Sequence, residues 1–321
     1  MNNISYRERI KNEIKFYEAL YADEKAKKNL TWETPAAWQE VEKHVNKLIR
    51  DKTGYDGYID YVVSVCNSKS RPIKILSLAS GACGNEIAIA NQLNVPFEFT
   101  CVDINLQILN LGIQKAKELK YNFRGLIQDI NNLNLEPESY DFILAYASLH
   151  HFINLDHIAK TINLALGDDG EFITLDIPTR NGYRLWIETF EIIKLLWKIL
   201  PEKYKIDHTS SKTPTYAKEY PDRDYSENSF ECIRSEEILP ALNKHLKCKF
   251  YIPCLSISRR FFDNMFGFNF DLSNYLDQTV LNFILALDQY YIETEKLKPE
   301  TFFGVYAKKK TNIKEKRVRR K

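Results

Sequence analysis

The central part of the chain alternates short apolar runs with amphipathic segments. The apolar runs predict five strands: Ile73–Leu78, Phe97–Val102, Phe123–Ile127, Tyr140–Ala145 and Glu171–Ile177. The segments between them predict helices over Glu86–Leu93, Leu106–Leu119 and Leu155–Leu166. This β/α alternation is typical of a parallel sheet with helices on both faces. In such sheets ligands bind at the carboxyl ends of the strands.

The flanks of this alternation are predicted to be mostly helical. Trp38, Val41 and Val45 recur at helical spacing after Thr34-Pro35, which predicts a cap followed by the first turn of a helix. An amphipathic helix is expected over Tyr183–Leu200, as a lid on the core. The predicted organisation is a helical cap (1–70), a core (71–178), a lid insertion (179–246), final strands and a helix (247–308), and a disordered basic tail (309–321).

Charge is distributed unevenly along the chain. The formal net charge is +2, yet Lys308–Lys321 holds nine Lys and Arg against one Glu, leaving −6 for the rest. Because no basic stripe is evident outside the tail, a nucleic-acid partner is not expected. The tail is predicted to be merely solvated, with weak contact to an anionic membrane surface as the alternative.

The cysteines and the termini bear on the compartment. The six cysteines are scattered, with no C-x-x-C pair, which favours reduced thiols over disulfides or a zinc site. The first 15 residues are polar and charged, unlike a signal peptide. No apolar run approaches the roughly 18 residues needed to span a bilayer. A cytoplasmic protein is therefore expected.

A turn of small residues follows the first predicted strand, and an acid follows the second. The turn contains Gly81 and Gly84, and Asp103 lies 22 residues beyond Gly81. A carboxylate at this distance can accept hydrogen bonds from both ribose hydroxyls of a nucleotide. Asp103 alone is equally typical of a helix N-cap. Turn and carboxylate together favour a nucleotide site.

Two further positions lie at the ends of later strands. Asp129 follows the third strand, where it can reach an adenine amino group while Ile130 flanks the ring, although a cap or turn role is equally possible. After the fourth strand come His150 and His151, and two adjacent histidines there favour a catalytic role for at least one. Asp176, at the end of the fifth strand, can orient such a histidine or bind substrate. Metal binding by the histidines and Asp176 is the less favoured alternative, so no metal site is predicted.

The order of these features resembles class I S-adenosylmethionine-dependent methyltransferases. Over about residues 30–308 the chain also resembles a bacterial methyltransferase family often associated with surface-polysaccharide or secondary-metabolite genes. The matching stretches are Thr31–Arg50, Ile75–Glu86, Ser148–Phe152, Leu200–Tyr204 and Arg234–Pro240. The resemblance implies an α/β Rossmann-like fold. Its seven-stranded, mostly parallel sheet has an antiparallel last strand, a helical N-terminal cap and a helical insertion before the final strands.

The resemblance also implies S-adenosylmethionine as cofactor. The residues it assigns to cofactor binding are Ala79, Gly81, Gly84, Glu86, Asp103, Ile104, Asp129, Ile130, Ala145 and Ser148. Cys83 replaces a usual glycine of the turn, and Gly167-Asp168-Asp169-Gly170 replaces the usual Lys-Pro-Gly-Gly turn. Two further departures bear on the cofactor. Ala79 replaces a usual glycine, which is tolerable if its φ is negative. Ser77 stands where many relatives carry an acid that contacts the methionine amine through water, and Glu86 is a possible substitute.

Methyl transfer from a sulfonium needs alignment and exclusion of water, and a hydroxyl acceptor also benefits from a base. With an ordinary pKa of about 6.5, His150 or His151 suits that role. We therefore predict O-methylation of a small molecule, a sugar or glycoconjugate precursor. The alternatives are a lipid or polyketide/peptide metabolite as acceptor, or a non-catalytic cofactor-binding module.

The acceptor is expected to be chosen by the regions flanking the core. Residues predicted to bind it are Tyr183, Trp186, Arg259 and Arg260. The arginine pair can hold a phosphate or a nucleotide sugar. Packing phenylalanines with a solvated arginine pair is the favoured alternative. The oligomeric state stays open.

Overall fold

A seven-stranded sheet forms the centre of the computed structural model, which describes residues 4–31, 33–209 and 213–310. The strands in chain order are β1 (Ile73–Leu78), β2 (Phe97–Asp103), β3 (Phe123–Ile127), β4 (Tyr140–Tyr146), β5 (Leu166–Asp176), β6 (Ile206–Asp207), β7 (Thr215–Tyr216), β8 (Leu246–Leu255) and β9 (Thr301–Lys308). The large sheet has the order β3-β2-β1-β4-β5-β9-β8, and β6 pairs with β7 separately. β9 runs in the direction opposite to that of the other six strands of the large sheet. The predicted Rossmann-like fold with an antiparallel last strand is confirmed.

Helices cover both faces of the sheet, so successive residues of the central strands are buried on opposite sides. Ile75 lies in the core on one face and Leu76 in the core on the other, and both are fully buried. This explains why β1 is a nearly continuous apolar run instead of an alternating one. The helices that connect the first five strands are α5 (Gly84–Ala90), α6 (Leu106–Glu118) and α7 (Leu155–Ala165), numbered after the four that precede them.

Those four N-terminal helices are α1 (Tyr6–Leu20), α2 (Glu24–Asn29), α3 (Ala36–Thr53) and α4 (Gly57–Asn67). The stripe of Val41, Val45 and Ile49 on α3 is buried, as its spacing predicted. The predicted cap is wrong in detail: Pro35 occupies the N-cap position of α3, and no side-chain hydrogen bond caps this helix.

The later helices are α8 (Ile187–Ile199), α9 (Ile238–His245), α10 (Ile257–Phe262) and α11 (Tyr275–Glu293). α8 begins four residues later than predicted, because Arg180 and Arg184 exchange two backbone hydrogen bonds in a tight loop before it. Ser235 begins a short 3-10 turn before α9 and makes no capping hydrogen bond.

Two further predictions concern the basic tail and the division of the chain into parts. The basic tail lies outside the described residues from position 311 onward. The division of the chain into cap, core, lid, final strands and tail stays a prediction. Among the residues described, no helix combines the length and the apolar character that crossing a bilayer requires.

Candidate functional site

The turn after β1 has an unusual backbone conformation. Ala79, Gly81 and Cys83 all have positive φ, at 51°, 51° and 57°. The negative φ on which the tolerance of Ala79 depended is therefore not observed, and this residue is strained. Nothing lies within 4 Å of the position that a Cβ of Gly81 would take, so a ligand can approach the backbone there. At Gly84, an added Cβ would lie 2.9 Å from the carbonyl oxygen of Leu30.

The strain at Ala79 makes a testable prediction. Replacing Ala79 by glycine is expected to raise the free energy of unfolding by about 0.5–1 kcal/mol, since relief of the left-handed strain exceeds the added entropy of the unfolded chain. Urea unfolding measures this change. Ala82→Gly in the same turn is the matched control, because Ala82 is buried and does not have positive φ. Ala82→Gly should lower the free energy of unfolding. If Ala79→Gly lowers it as well, Ala79 is not strained in the native turn.

Asp103 ties the carboxyl end of β2 to this turn. Its Oδ2 accepts a hydrogen bond from the N–H of Gly81 and its Oδ1 one from the N–H of Asn105, both at 2.8 Å. Burial raises the pKa of Asp103, and these N–H groups partly offset that effect. The side chain that caps α6 is Asn105, whose Oδ1 accepts from Ile108 N–H. The alternative of Asp103 as a helix N-cap is therefore wrong, and Ile104 separates it from the true cap.

Asp129 has one of the two roles considered for it, that of a cap, while its contact with an adenine stays a prediction. It caps a 3-10 turn, Ile130–Asn132, by accepting from the N–H of Asn131. Its Oδ2 also accepts a hydrogen bond from the hydroxyl of Tyr6 at 2.7 Å, while Ile130 is buried beside it. Tyr6 is the first residue of α1, so this helix reaches the carboxyl end of β3.

Beneath the turn, Ser77 and Glu86 form a buried pair. The Ser77 hydroxyl donates to Glu86 Oε1. Burial raises the pKa of Glu86 to about 7, an effect that the Ser77 hydrogen bond partly offsets. Glu86 is thus close to the serine that replaces the usual acid, and near neutral pH its carboxyl group exchanges readily between the two protonation states.

The segment after β4 is organised by one buried carboxylate, Asp176. It accepts hydrogen bonds from the N–H groups of Ser148, Leu149 and Ile177 at 2.7–2.8 Å, and His150 Nδ1 lies 2.8 Å from its Oδ1. Burial alone would raise the pKa of Asp176, but the charge and hydrogen bond of His150 and these N–H groups hold it below its usual value. An ionised carboxylate only accepts, so Nδ1 must donate. In the neutral ring the lone pair is therefore on Nε2.

Two cofactor candidates border this segment. Ala145 is fully buried within β4. The Ser148 hydroxyl, also buried, lies 3.4 Å from the carbonyl oxygen of Leu78 at the end of β1. The carboxyl ends of β1 and β4 are thus joined next to the predicted cofactor turn.

His151 is paired with a carboxylate from α1, that of Glu13. Its Nδ1 lies 2.7 Å from Glu13 Oε1, an ion pair whose angle is too bent for a good hydrogen bond. Burial alone would lower the pKa of His151, but the carboxylate of Glu13 raises it to about 9. The ring is therefore protonated at neutral pH and is a poor base. The two histidines, which the sequence could not distinguish, therefore have different carboxylate partners, Asp176 for His150 and Glu13 for His151.

Glu231 and Glu13 are site residues that the sequence analysis missed. Glu231 lies between the two histidines, with Oε1 3.9 Å from His150 Nε2 and Oε2 3.6 Å from His151 Nε2. Glu13 lies on α1, which also approaches β2, since Asn105 Nδ2 donates to the carbonyl oxygen of Ile14. α1 therefore lies across the carboxyl ends of β2, β3 and β4. Neither glutamate follows a predicted strand, so no periodic signal marked it.

Cys232 belongs to a group that has the spacing of a metal site. Its Sγ, His150 Nε2 and a Glu231 oxygen lie within 4.8 Å of one another. The thiol, however, donates to Glu231 Oε1 at 3.3 Å, and burial holds the pKa of Cys232 well above its usual value. This protonated thiol is engaged with a carboxylate, so we do not assign a metal site.

Three of the four residues predicted to bind the acceptor lie together, and the ring of the fourth lies in a different pocket. Tyr183, Arg259 and Arg260 lie together, with the Arg260 and Arg259 guanidinium carbons 4.1 and 5.8 Å from the centre of the Tyr183 ring. The Trp186 ring lies beneath Lys298 Nζ at 4.5 Å and lines a pocket of about 210 Å³ that none of the other three residues lines. Its backbone N–H, however, lies 3.4 Å from the same Glu300 that pairs with Arg260.

The Glu13–His151 pair predicts a pH-dependent stability. Since the pKa of His151 is raised from 6.5 to about 9, the folded protein holds more protons than the unfolded chain in this range. The stabilisation is complete below about pH 6.5 and is lost as the pH rises through 9. Between pH 6 and 10, wild-type protein should lose more stability in urea unfolding than Glu13→Gln. Glu8→Gln, an exposed glutamate of the same helix, should behave as wild type. Equal losses in Glu13→Gln and wild type would contradict the pair.

Comparison with known proteins identifies the class. Residues 75–170 match the sequence model of a family described as a methyltransferase domain. These bounds run from β1 into β5 and contain the strained turn, Asp103, Asp129 and both histidines. The match confirms the predicted class, an enzyme that uses S-adenosylmethionine to transfer methyl groups. The residues fit this cofactor, because the backbone at Gly81 is open to close approach and Asp103 supplies acceptor oxygens.

Several solved structures have a similar fold at low sequence identity. The PH0226 protein from Pyrococcus horikoshii OT3 is 13% identical, covering 85% of this chain and 91% of that one, with a TM-score of 0.42. A geranyl diphosphate C-methyltransferase from Streptomyces coelicolor A3(2) is 10% identical over 78% and 79%, with a TM-score of 0.44. The Haemonchus contortus phosphoethanolamine N-methyltransferase 2 is 12% identical over 84% and 57%, with a TM-score of 0.46. Likenesses of this degree do not identify an acceptor. No curated protein sequence matches the chain.

Proposed function

We propose that this methyltransferase acts on a hydroxyl group of a small molecule, a sugar or glycoconjugate precursor. The observation that carries the proposal is the buried pair of His150 and Asp176. With Nδ1 held at 2.8 Å by Asp176, the free Nε2 of a neutral His150 can accept a proton. An amine acceptor that arrives neutral needs no such base, whereas a hydroxyl benefits from one.

In this proposal the cofactor is held by the residues at the carboxyl ends of β1 to β4. Asp103 would bind the ribose hydroxyls, and Asp129 with Ile130 would border the adenine. The backbone at Gly81 is open to close approach, whereas the space beside Gly84 is taken by the carbonyl oxygen of Leu30. The remaining cofactor contacts are assigned to Ala79, Glu86, Ile104, Ala145 and Ser148. S-adenosylmethionine, when bound, supplies a methyl group that is already activated for in-line displacement.

The protein's own contribution is proton transfer, charge and exclusion of water. His150 Nε2 takes the hydroxyl proton of the acceptor, and the Asp176 carboxylate stabilises the imidazolium that results. Glu231 Oε1, 3.9 Å from Nε2, is too far for a direct hydrogen bond, so Nε2 can accept the single proton of the acceptor hydroxyl. His151 already carries its proton and keeps Glu13, and with it α1, over the site. Coverage by α1 limits the access of water.

Tyrosines near β4 support an acceptor with a ring and hydroxyl groups. Tyr58 on α4 and Tyr146 at the end of β4 lie with ring centres 5.0 Å apart, edge to face. Tyr58 is buried in the core, so the partly exposed ring of Tyr146 is the one whose apolar face can meet the C–H groups of a sugar. The same surface would also accept an aromatic metabolite, so the acceptor class is tested directly.

The decisive experiment follows a labelled methyl group. Purified protein and S-adenosylmethionine with a tritiated methyl group are incubated with a cell extract, and the products are fractionated by size. We expect the label in the small-molecule fraction, in a compound that resists mild alkali as a methyl ether does and a methyl ester does not. Label in protein or nucleic acid, or an alkali-labile product, would contradict the proposal. Heat-denatured enzyme is the control.

A further inference from the structure

The two adjacent arginines of α10 have very different surroundings. Arg260 is 2% exposed, its Nε donates to the buried carboxylate of Glu300, and its Nη1 donates to the carbonyl oxygen of Tyr183 at 3.0 Å. Its charge is thus paired inside the fold. Arg260 therefore stabilises the segment before α8. Its Nη2 also lacks a hydrogen-bond partner among the described residues, but its charge is already paired with Glu300.

Arg259 has no such counter-charge. Its Nη1 donates to Thr301 Oγ1 at 3.2 Å, but its buried Nε has no hydrogen-bond partner among the residues that the structure describes. Within the same residues no carboxylate oxygen lies within 4.0 Å of its guanidinium. A charge withdrawn from water in this way costs several kcal/mol unless a partner compensates it. The Nε edge of Arg259 is therefore an unfilled anion-binding group.

Two acids lie in the field of Arg259, Asp263 and Glu300, and both are engaged with other donors. Asp263 accepts hydrogen bonds from the Tyr183 hydroxyl and from the N–H of Met265, both at 2.9 Å. Its field still acts on Arg259, but its oxygens are directed to these donors. Asp263 and Glu300 balance the two arginine charges in number, but neither accepts a hydrogen bond from Arg259 Nε, so that donor lacks an acceptor among the described residues.

Aromatic rings flank the Arg259 guanidinium. Its central carbon lies 5.3 Å from the ring centre of Trp38 and 5.8 Å from that of Tyr183. Trp38 is held in turn by its Nε1, which donates to Glu42 at 3.0 Å. Cation–π contacts keep the guanidinium in place between the rings and leave its N–H edge free to bind an anion in the plane.

This arginine lies on the same side of the sheet as the proposed reacting groups. Tyr146, at the carboxyl end of β4, has its pKa raised to about 12 by burial, and the charges of Glu42 and Arg259 act on it as well. The ring of Tyr146 contacts Tyr58, which in turn is close enough to Asp176 to be affected by its charge. Tyr58, Tyr146 and Trp38, the last of which lies beside Arg259, all pack in the same core cluster.

We infer that the methyl acceptor carries an anionic group, a phosphate or a carboxylate, that binds to Arg259. The Nε edge donates to the anion, and the adjoining part of the acceptor lies along Trp38, Tyr183 and Tyr146. The inference rests on the proposed function only in taking the occupant of this site to be the acceptor. Of the four residues predicted to bind the acceptor, the inference retains Tyr183 and Arg259. It adds Trp38, and it leaves out Trp186 and Arg260.

Binding of simple probes tests the site without knowledge of the acceptor. Phenyl phosphate, benzoate and the neutral benzyl alcohol are titrated by calorimetry into protein saturated with S-adenosylhomocysteine. We expect at least one anionic probe to bind ten-fold or more tightly than benzyl alcohol, and the stronger of the two identifies phosphate or carboxylate. Arg259→Gln should abolish the preference, while Arg50→Gln, at an exposed arginine of α3, should keep it. Unchanged affinity of Arg259→Gln for S-adenosylhomocysteine shows that the fold is intact.

Two results overturn the inference: anionic probes that bind no more tightly than benzyl alcohol, and equal preference in Arg259→Gln and wild type. The labelled product separates this failure from that of the proposed function. A labelled small molecule that passes an anion-exchange column uncharged refutes the anionic acceptor alone. Probes that bind through Arg259 while no small molecule becomes labelled refute the proposed function alone.

Discussion

Replacing His150 by glutamine is expected to lower the rate of methyl transfer about 10²- to 10³-fold, the usual contribution of a positioned general base. Glutamine can still donate a hydrogen bond to Asp176, but it cannot take up a proton. The labelled-methyl assay measures the rate, and calorimetry with S-adenosylhomocysteine measures cofactor binding, which should not change. The effect should therefore be in turnover and not in cofactor affinity.

A second histidine–aspartate pair provides the control for this substitution. His245 Nε2 lies 2.9 Å from Asp156 Oδ1 on the exposed side of α9, away from the sheet edge. His245→Gln removes the same kind of pair and should leave methyl transfer at the wild-type rate. If His150→Gln also retains wild-type turnover, the base role is wrong. If His151→Gln has the larger effect, the assignment of roles to the two histidines is wrong.

The sequence predicted the sheet well because its signal is local. The buried central strands are continuous apolar runs, and each is followed by a polar residue at the edge where ligands bind. Asp103 and Asp176 were found in this way, and both are indeed at that edge. A final strand was predicted in the segment 247–308, but its antiparallel direction came from the family resemblance and not from the apolar pattern.

The remaining parts of the site depend on packing between distant segments. Glu13 becomes part of the site only because α1 lies across three strand ends, and nothing in its charged surroundings predicts that position. Arg259 and Arg260 are identical neighbours in the sequence. They differ because Glu300, just before β9, pairs with one and not the other. The φ of Ala79 is likewise set by the turn and not by the residue type.

The carboxylate of Asp103 should be the largest determinant of cofactor affinity. Asp103→Ala is expected to weaken binding of S-adenosylhomocysteine about 10²-fold or more. It removes the acceptor for two ribose hydroxyls, and a hydrogen bond to a charged group is worth about 1.5–3 kcal/mol. It also removes the 2.8 Å hydrogen bond that fixes Gly81 N–H in the strained turn. Asp103→Asn, which retains one acceptor oxygen, should fall between wild type and alanine.

Asp141 offers a matched control at the opposite edge of the sheet. It too accepts a backbone N–H, from Lys74 at 2.8 Å, but it lies at the amino end of β4. Asp141→Ala should therefore lower stability without changing the affinity for S-adenosylhomocysteine, as calorimetry at matched folded fraction would show. An unchanged affinity in Asp103→Ala would refute the ribose contact. Equal losses in the two variants would mean that cofactor binding follows general stability. Only a loss confined to Asp103 is consistent with a nucleotide bound at the carboxyl ends of β1 and β2.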